Sequence, residues 1–172
     1  MLRGAEAGGG TEVMRNSLRM LAVAAAILAG AASPPPGFLV PTPAAIPQGF
    51  RVAFESFSDV QYTVQYDAPD DGGRLLVSEH ADAAGASYDR QVATLEHMRD
   101  NGHGVIPRKL RDFEFDGHAG TIYEMLNSSA RNLVLLLDDG GRLLRVSAYD
   151  GRQSRFAPDD LIAMLARFRR RK

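Results

Sequence analysis

The chain has 172 residues, 45% of them apolar and 24% charged, with a formal net charge of −1. That is long enough to bury a real core in one domain, and too balanced in charge for a global field that draws nucleic acid or acidic membrane. There is no cysteine, which excludes disulfides, thiolate chemistry, cysteine-ligated zinc and a lipid-modified cysteine.

Arg15 and Arg19 precede an apolar run over 20–29, followed by Gly30-Ala31-Ala32 and a set of prolines. A basic segment, a short apolar stretch and small residues before a break describe a secretory signal peptide over 1–31. Ala29 and Ala31 satisfy the small-x-small rule and place cleavage after Ala31, with Ala32 the near alternative. The apolar run is well short of the ~20 residues of a spanning helix, which weighs against an uncleaved anchor. Met14 would by itself open a compact signal peptide and is the alternative true start. Residues 33–49 hold six of the nine prolines. Proline locks φ and supplies no donor, so 32–48 is expected to be an extended tether and 49–172 a single α+β domain.

Residues 50–57 alternate only partly in phase and predict a strand carrying Phe50, Val52 and Phe54. Residues 60–66 alternate cleanly: Val60, Tyr62, Val64 and Tyr66 share one face, and Gln61, Thr63 and Gln65 share the other. Asp70-Asp71-Gly72-Gly73 then turns the chain into 74–80. Tight hairpins need positive φ, which Gly adopts freely and Asp tolerates. Ser87 reads as the N-cap of a helix over 87–101, stopped by Gly102, with Tyr88, Val92, Leu95 and Met98 on one stripe facing the sheet.

Residues 110–115 enter Asp116-Gly117, a two-residue hairpin signal that puts Phe113 opposite Gly120 and Phe115 opposite His118. A phenyl ring across the bare backbone of a glycine is a sensible cross-strand pair. Residues 121–126 return. Residues 132–137 are apolar on both faces, as in a central strand covered on both sides. A second Asp-Asp-Gly-Gly at 138–141 feeds 142–149. The two copies match as Arg-Leu-Leu-Val-Ser and Arg-Leu-Leu-Arg-Val-Ser, with one residue inserted. This is either an old duplication or the same hairpin chemistry selected twice, and outside the turns the units do not match. Pro158 opens a last helix over 158–170, with Asp159 and Asp160 in its first turn and Leu161, Ile162, Leu165 and Phe168 on its buried face. The expected fold is α+β: an antiparallel meander sheet of about six or seven strands packed by two amphipathic helices, 87–101 and 158–170.

No residue pattern in the chain marks a catalytic, cofactor-binding or metal-binding site. His80, His97, His103 and His118 have no zinc-helix spacing, so a shared metal site would need tertiary proximity. Glu79 and His80, adjacent on a strand, point to opposite faces. Ser87 lacks the second glycine of a nucleophile elbow. The Gly-Gly pairs sit in hairpins and precede no helix, so they are not phosphate loops. The one charge cluster is Arg167, Arg169, Arg170, Arg171 and Lys172. One or two cations would complement a helix dipole; the excess is a candidate dock for an acidic protein or surface partner.

Ile46-Pro47-Gln48-Gly49-Phe50, Phe113-Glu114-Phe115-Asp116-Gly117-His118-Ala119-Gly120 and Ala157-Pro158-Asp159-Asp160-Leu161-Ile162 carry a resemblance. In these stretches the chain resembles the PsbP/Mog1-like group of α/β/α sandwich domains, and is similar to uncharacterised extracytoplasmic domains of bacterial envelope and anti-sigma-type proteins. The resemblance implies a fold and a bias toward binding over catalysis, and it carries over no catalytic residue.

Three functions are compatible with these residues. The first is an exported, periplasmic or extracellular, non-catalytic envelope module that binds a protein or surface partner, with no cofactor, no nucleic acid and no membrane span after cleavage. The second is a small-ligand carrier or enzyme whose site forms only in three dimensions; a pocket setting His80 or His118 against a carboxylate would favour it. The third is a structural subunit of an envelope assembly, which jointly exposed Tyr62 and Tyr66 would favour.

Overall fold

The computed structural model describes residues 36–70, 72–81, 87–98, 105–126, 130–150 and 155–172. Ala29 and Ala31, the expected helix end at 99–101, Gly102 and His103 lie outside the described residues.

In chain order the elements are β1 (Leu39–Pro41), β2 (Arg51–Phe57), β3 (Gln61–Asp67), β4 (Arg74–Ala81), α1 (Tyr88–His97), β5 (Ile106–Phe115), β6 (His118–Leu126), β7 (Arg131–Asp138), β8 (Arg142–Tyr149), α2 (Pro158–Leu165) and β9 (Phe168–Arg170). Seven strands form one antiparallel sheet in the order β2-β3-β4-β8-β7-β6-β5, and β1 pairs with β9 in a separate two-stranded sheet. The large sheet is two meanders joined at the middle, where β4 and β8 lie side by side with Val77 opposite Val146. These are the return strands of the two Asp-Asp-Gly-Gly hairpins. The chain leaves β4 at the centre, forms α1, and resumes at the far edge as β5.

The repeated tetrapeptide makes two different turns. In the second, the Asp139 amide donates to the Arg142 carbonyl at 2.8 Å, and Gly140 and Gly141 take φ of 61° and 84°. In the first, the closing bond runs from the Ala68 amide to the Gly73 carbonyl at 2.9 Å, and neither Gly72 nor Gly73 is left-handed. The Asp116-Gly117 hairpin has φ of 54° and 78° at its two loop residues, the geometry expected of a twisted two-residue loop.

One face of the sheet carries the main core. Tyr62 and Val64 of β3, Leu75 and Val77 of β4, Leu133, Leu135 and Leu137 of β7, and Leu144 and Val146 of β8 pack there with Leu161, Met164, Leu165 and Phe168. Burying each such large side chain stabilises the fold by ~1.5–3 kcal/mol relative to exposure. On the other face Leu95 of α1 packs on Tyr123, Val134, Leu136 and Leu143, with Tyr88 and Val92 alongside. The two helices therefore cover opposite faces, and β7 is apolar on both sides because both of its sides are covered.

Caps form where the residues predict them. The Ser87 hydroxyl accepts from the Arg90 amide at 3.3 Å. Pro158 opens α2, and the Asp160 carboxylate accepts from the Ala157 amide at 2.7 Å.

Several expectations need correction. Residues 38–46 are not a tether: Phe38 is fully buried, Ala45 is buried, and β1 pairs with β9 through Leu39–Arg170, Val40–Arg169 and Pro41–Phe168. Extended backbone with proline is also what a short edge strand tolerates, and tertiary pairing recruits it. The last helix stops at Leu165 instead of running to 170. Phe168 stays buried, as its place on the stripe predicted, but reaches the core from a strand. The first helix ends at His97 with Met98 already extended and 36% exposed, so Met98 is not on the buried stripe. Val60 precedes β3 and is exposed. The weak phase of β2 has a cause in a register shift between Val52 and Phe54, which sets Val52 opposite Tyr66 and Phe54 opposite Gln65, on different faces.

Candidate functional site

The face under α1 is divided. Over β5, β6 and β7 it is apolar and helix-covered. Over β2, β3, β4 and the 145–149 part of β8 it is mostly polar, and no described helix packs on that part; Leu143, at the start of β8, still lies under α1. Strand register builds this half row by row. Thr63, Ser78 and Arg145 are successive cross-strand partners, and so are Gln65, Leu76 and Ser147, and Gln61, His80 and Leu143. Phe54, opposite Gln65, and Tyr149, opposite Arg74, stand at its margins and are 53% and 43% exposed. Two shallow clefts open there. One of about 420 Å³ is lined by Asp67, Gly73, Arg74 and Tyr149, and one of about 250 Å³ by Phe54, Ser56, Phe57, Ser58, Gln61 and Thr63.

Arg145 is central to this half-face. Its Nε donates to the Ser147 hydroxyl at 3.1 Å, and among the described residues no carboxylate lies in ion-pair reach of it. Burial pulls its pKa down. His80, two residues along β4 from Arg145's cross-strand partner Ser78, is also held below the usual imidazole range, first by burial and then by the Arg145 charge. Arg145 is the residue by which the second copy of the repeat exceeds the first. A cation inserted between the apolar pair Leu143-Leu144 and Val146 was the available signal, and the residue pattern alone did not single it out.

A second polar cluster lies under the opposite face. Glu79 is fully buried, and its carboxylate accepts from the Leu39 amide at 2.5 Å, which ties β1 to β4. Burial pushes its pKa up to about 8, and Asp139 pushes in the same direction. One oxygen of Glu79 and one of Asp139 are buried with no hydrogen-bond partner among the described residues. A proton on Glu79 turns one of two facing acceptors into a donor and relieves both. Arg170 pairs with Asp139 at 2.6 Å, and the Arg142 guanidinium stacks 4.5 Å from the Phe38 ring centre. Perturbed carboxylates often mark reactive sites. Here they are sealed beneath β1 and β9, and they act on the fold.

The basic C-terminus is largely engaged within the chain. Arg167 donates to the Ala44 carbonyl, Arg170 to the Gly37 carbonyl and to Asp139, and Arg169 to the Phe168 carbonyl. Arg171 and Lys172 are exposed. The histidines are dispersed: His80 lies on the open face, His97 on α1 bonded to the Ala93 carbonyl, and His118 at the β5–β6 hairpin. Neither His80 nor His118 meets a carboxylate in an ion pair among the described residues. No group of three or more His, Asp or Glu converges there as a metal site. Glu79 and His80 do face opposite sides. Tyr62 and Tyr66 are buried, so the exposed tyrosine pair that would favour a structural subunit is not present. A groove of about 550 Å³ between Ile46–Phe50 and α2 is lined in part by Arg155, Phe156, Met164 and Arg167.

This is an α+β domain whose seven-stranded antiparallel sheet carries a helix on each face. Among the described residues no helix is long and apolar enough to cross a membrane. No family model and no curated protein matches the chain. Among solved structures it is similar to cyanobacterial PsbP from Synechocystis, with a TM-score of 0.47 and 13% identity over 82% of this chain and 96% of that chain.

Proposed function

We propose that the chain is an exported, non-catalytic envelope module that binds a protein partner on the open half-face of β2, β3, β4 and β8. The supporting observation is the division of one sheet face, apolar under α1 and polar with exposed aromatics beside it. A sheet face left to water is usually uniformly polar; exposed Phe54 and Tyr149 flanking amides and hydroxyls give the mix of anchors and hydrogen-bonding groups typical of recognition surfaces. The N-terminal basic and apolar run supports export. The dispersal of the histidines supports binding over catalysis.

The test is photocrosslinking in the native cell with the crosslinking residue placed at Thr63 or Gln65, and at Ala163 on exposed α2 as control. A discrete adduct from the sheet positions and none from Ala163 is the expected result. Equal labelling from both, or none from the sheet, removes this face as the docking surface. Fractionation of the same cells tests export.

A further inference from the structure

We infer that Arg145 is the receptor for a carboxylate on an acidic segment of the partner, which lies extended across the open half-face; this rests on the docking reading above. Other arginines have acids: Arg131 pairs with Glu124 at 2.6 Å, Arg170 with Asp139 at 2.6 Å, and Arg155 with Asp70. Arg142, which like Arg145 makes no ion pair among the described residues, lies on the opposite face over the Phe38 ring. Arg145 is more enclosed than a surface arginine and has only a serine hydroxyl. A guanidinium withdrawn from water without a counter-charge is costly, and the fold keeps that cost in the middle of a face where no described residue neutralises it. Ser147 holds Nε, so the two terminal nitrogens are left to fork onto one carboxylate. Ser78, directly across the strand pair, is buried and has no hydrogen bond of its own among the described residues, which adds a hydroxyl donor beside the fork.

The surroundings favour a peptide over a free small anion. The site is not enclosed: it lies on a sheet surface with clefts only at its margins. The Gln61 and Gln65 amide nitrogens donate along β3 to Thr63 and Asp67, which leaves their carbonyl oxygens to accept from a partner main chain, and Phe54 and Tyr149 are exposed on either side. The neighbouring Arg74 is already paired with Asp67 at 3.2 Å, so the uncompensated charge is local to Arg145.

Two measurements on the full chain test this. In the first, the protein is titrated with a capped peptide of alternating Glu and Val, with its Gln counterpart, and with inorganic phosphate, while the His80 ring resonances are followed by NMR. The Glu peptide is expected to shift them and to raise the His80 pKa, because it neutralises the adjacent cation, whereas the Gln peptide does neither. In the second, the Thr63 crosslink is repeated in Arg145→Gln and Arg145→Lys chains. A loss of about tenfold or more in Gln, partly restored in Lys, is expected for a charge-assisted contact. An undiminished adduct in folded Arg145→Gln overturns the receptor while leaving the docking face intact; absence of any adduct in the unsubstituted protein overturns the docking face itself. Equal shifts from phosphate and the Glu peptide overturn the peptide occupant. If Arg145→Gln does not fold, the Lys variant and the wild-type titration still decide.

Discussion

The ring of Phe113 lies across Gly120, so close that a methyl group on Gly120 would sit 2.2 Å from the ring's Cζ. The two are cross-strand partners on β5 and β6. Gly120 is not left-handed, so nothing in its backbone requires glycine; the ring alone does. Gly120→Ala should therefore destabilise the fold by ~1–3 kcal/mol through overpacking, although Ala ordinarily stabilises a strand relative to Gly. Urea unfolding measures it. In a double-mutant cycle with Phe113→Leu the cost should shrink, because a smaller side chain leaves room for the methyl.

Phe38 tests whether the proline-rich entry belongs to the domain. It is fully buried, packs near Tyr62 and lies under Arg142. Phe38→Ala should cost ~3–5 kcal/mol, the range for a large buried aromatic. A chain beginning at Gly49 would also strip β9 of β1, its one strand partner among the described residues, and uncover the main core. It should lose the cooperative unfolding transition that a chain beginning at Pro36 retains, as seen by near-ultraviolet circular dichroism.

Glu79 makes stability depend on pH in an unusual direction. Its folded pKa, about 8, lies above the ordinary 4.5, so between these values the folded state holds a proton the unfolded state has released. Its contribution is complete below the unfolded value and is lost as pH rises through the folded one. The urea midpoint should fall between about pH 5 and about pH 9. In Glu79→Gln, which keeps an acceptor for the Leu39 amide and a donor toward Asp139, that fall should be largely absent.

Arg170 and Arg171 are adjacent, yet their substitution should differ sharply. Arg170 neutralises Asp139, whose side chain is 3% exposed, and also bonds the Gly37 carbonyl. Arg170→Gln leaves a buried acid without its cation and should cost ~2–3 kcal/mol, less than for a wholly buried pair because Arg170 itself is half exposed. Arg171→Gln and Lys172→Gln should stay within ~0.5 kcal/mol, as at ordinary surface positions. Thermal or urea unfolding separates the two cases.

Local features of the chain were legible wherever the cause was local. Asp116-Gly117 demanded its two-residue loop, and that loop alone set Phe113 against Gly120. Ser87 and Pro158 marked helix starts, and the unbroken apolar run in β7 announced a strand covered on both sides. Where the cause was distant, residue patterns misled. The run after Leu165 has helical spacing, but its backbone finds a better partner in 39–41, so it extends. The prolines before Gly49 suit a free tether and an edge strand equally, and only the presence of β9 chooses between them.

By itself the residue order determined an α+β chain of antiparallel hairpins with two amphipathic helices, because turn chemistry and side-chain periodicity act over a few residues. Tertiary structure alone decided that β4 and β8 meet at the centre, that Glu79 and Asp139 are buried together, and that Arg145 stands on an open half-face without an acid among the described residues. Each of those depends on which strands become neighbours, and pairing between distant strands is governed by the burial of the whole sheet, which no short stretch encodes.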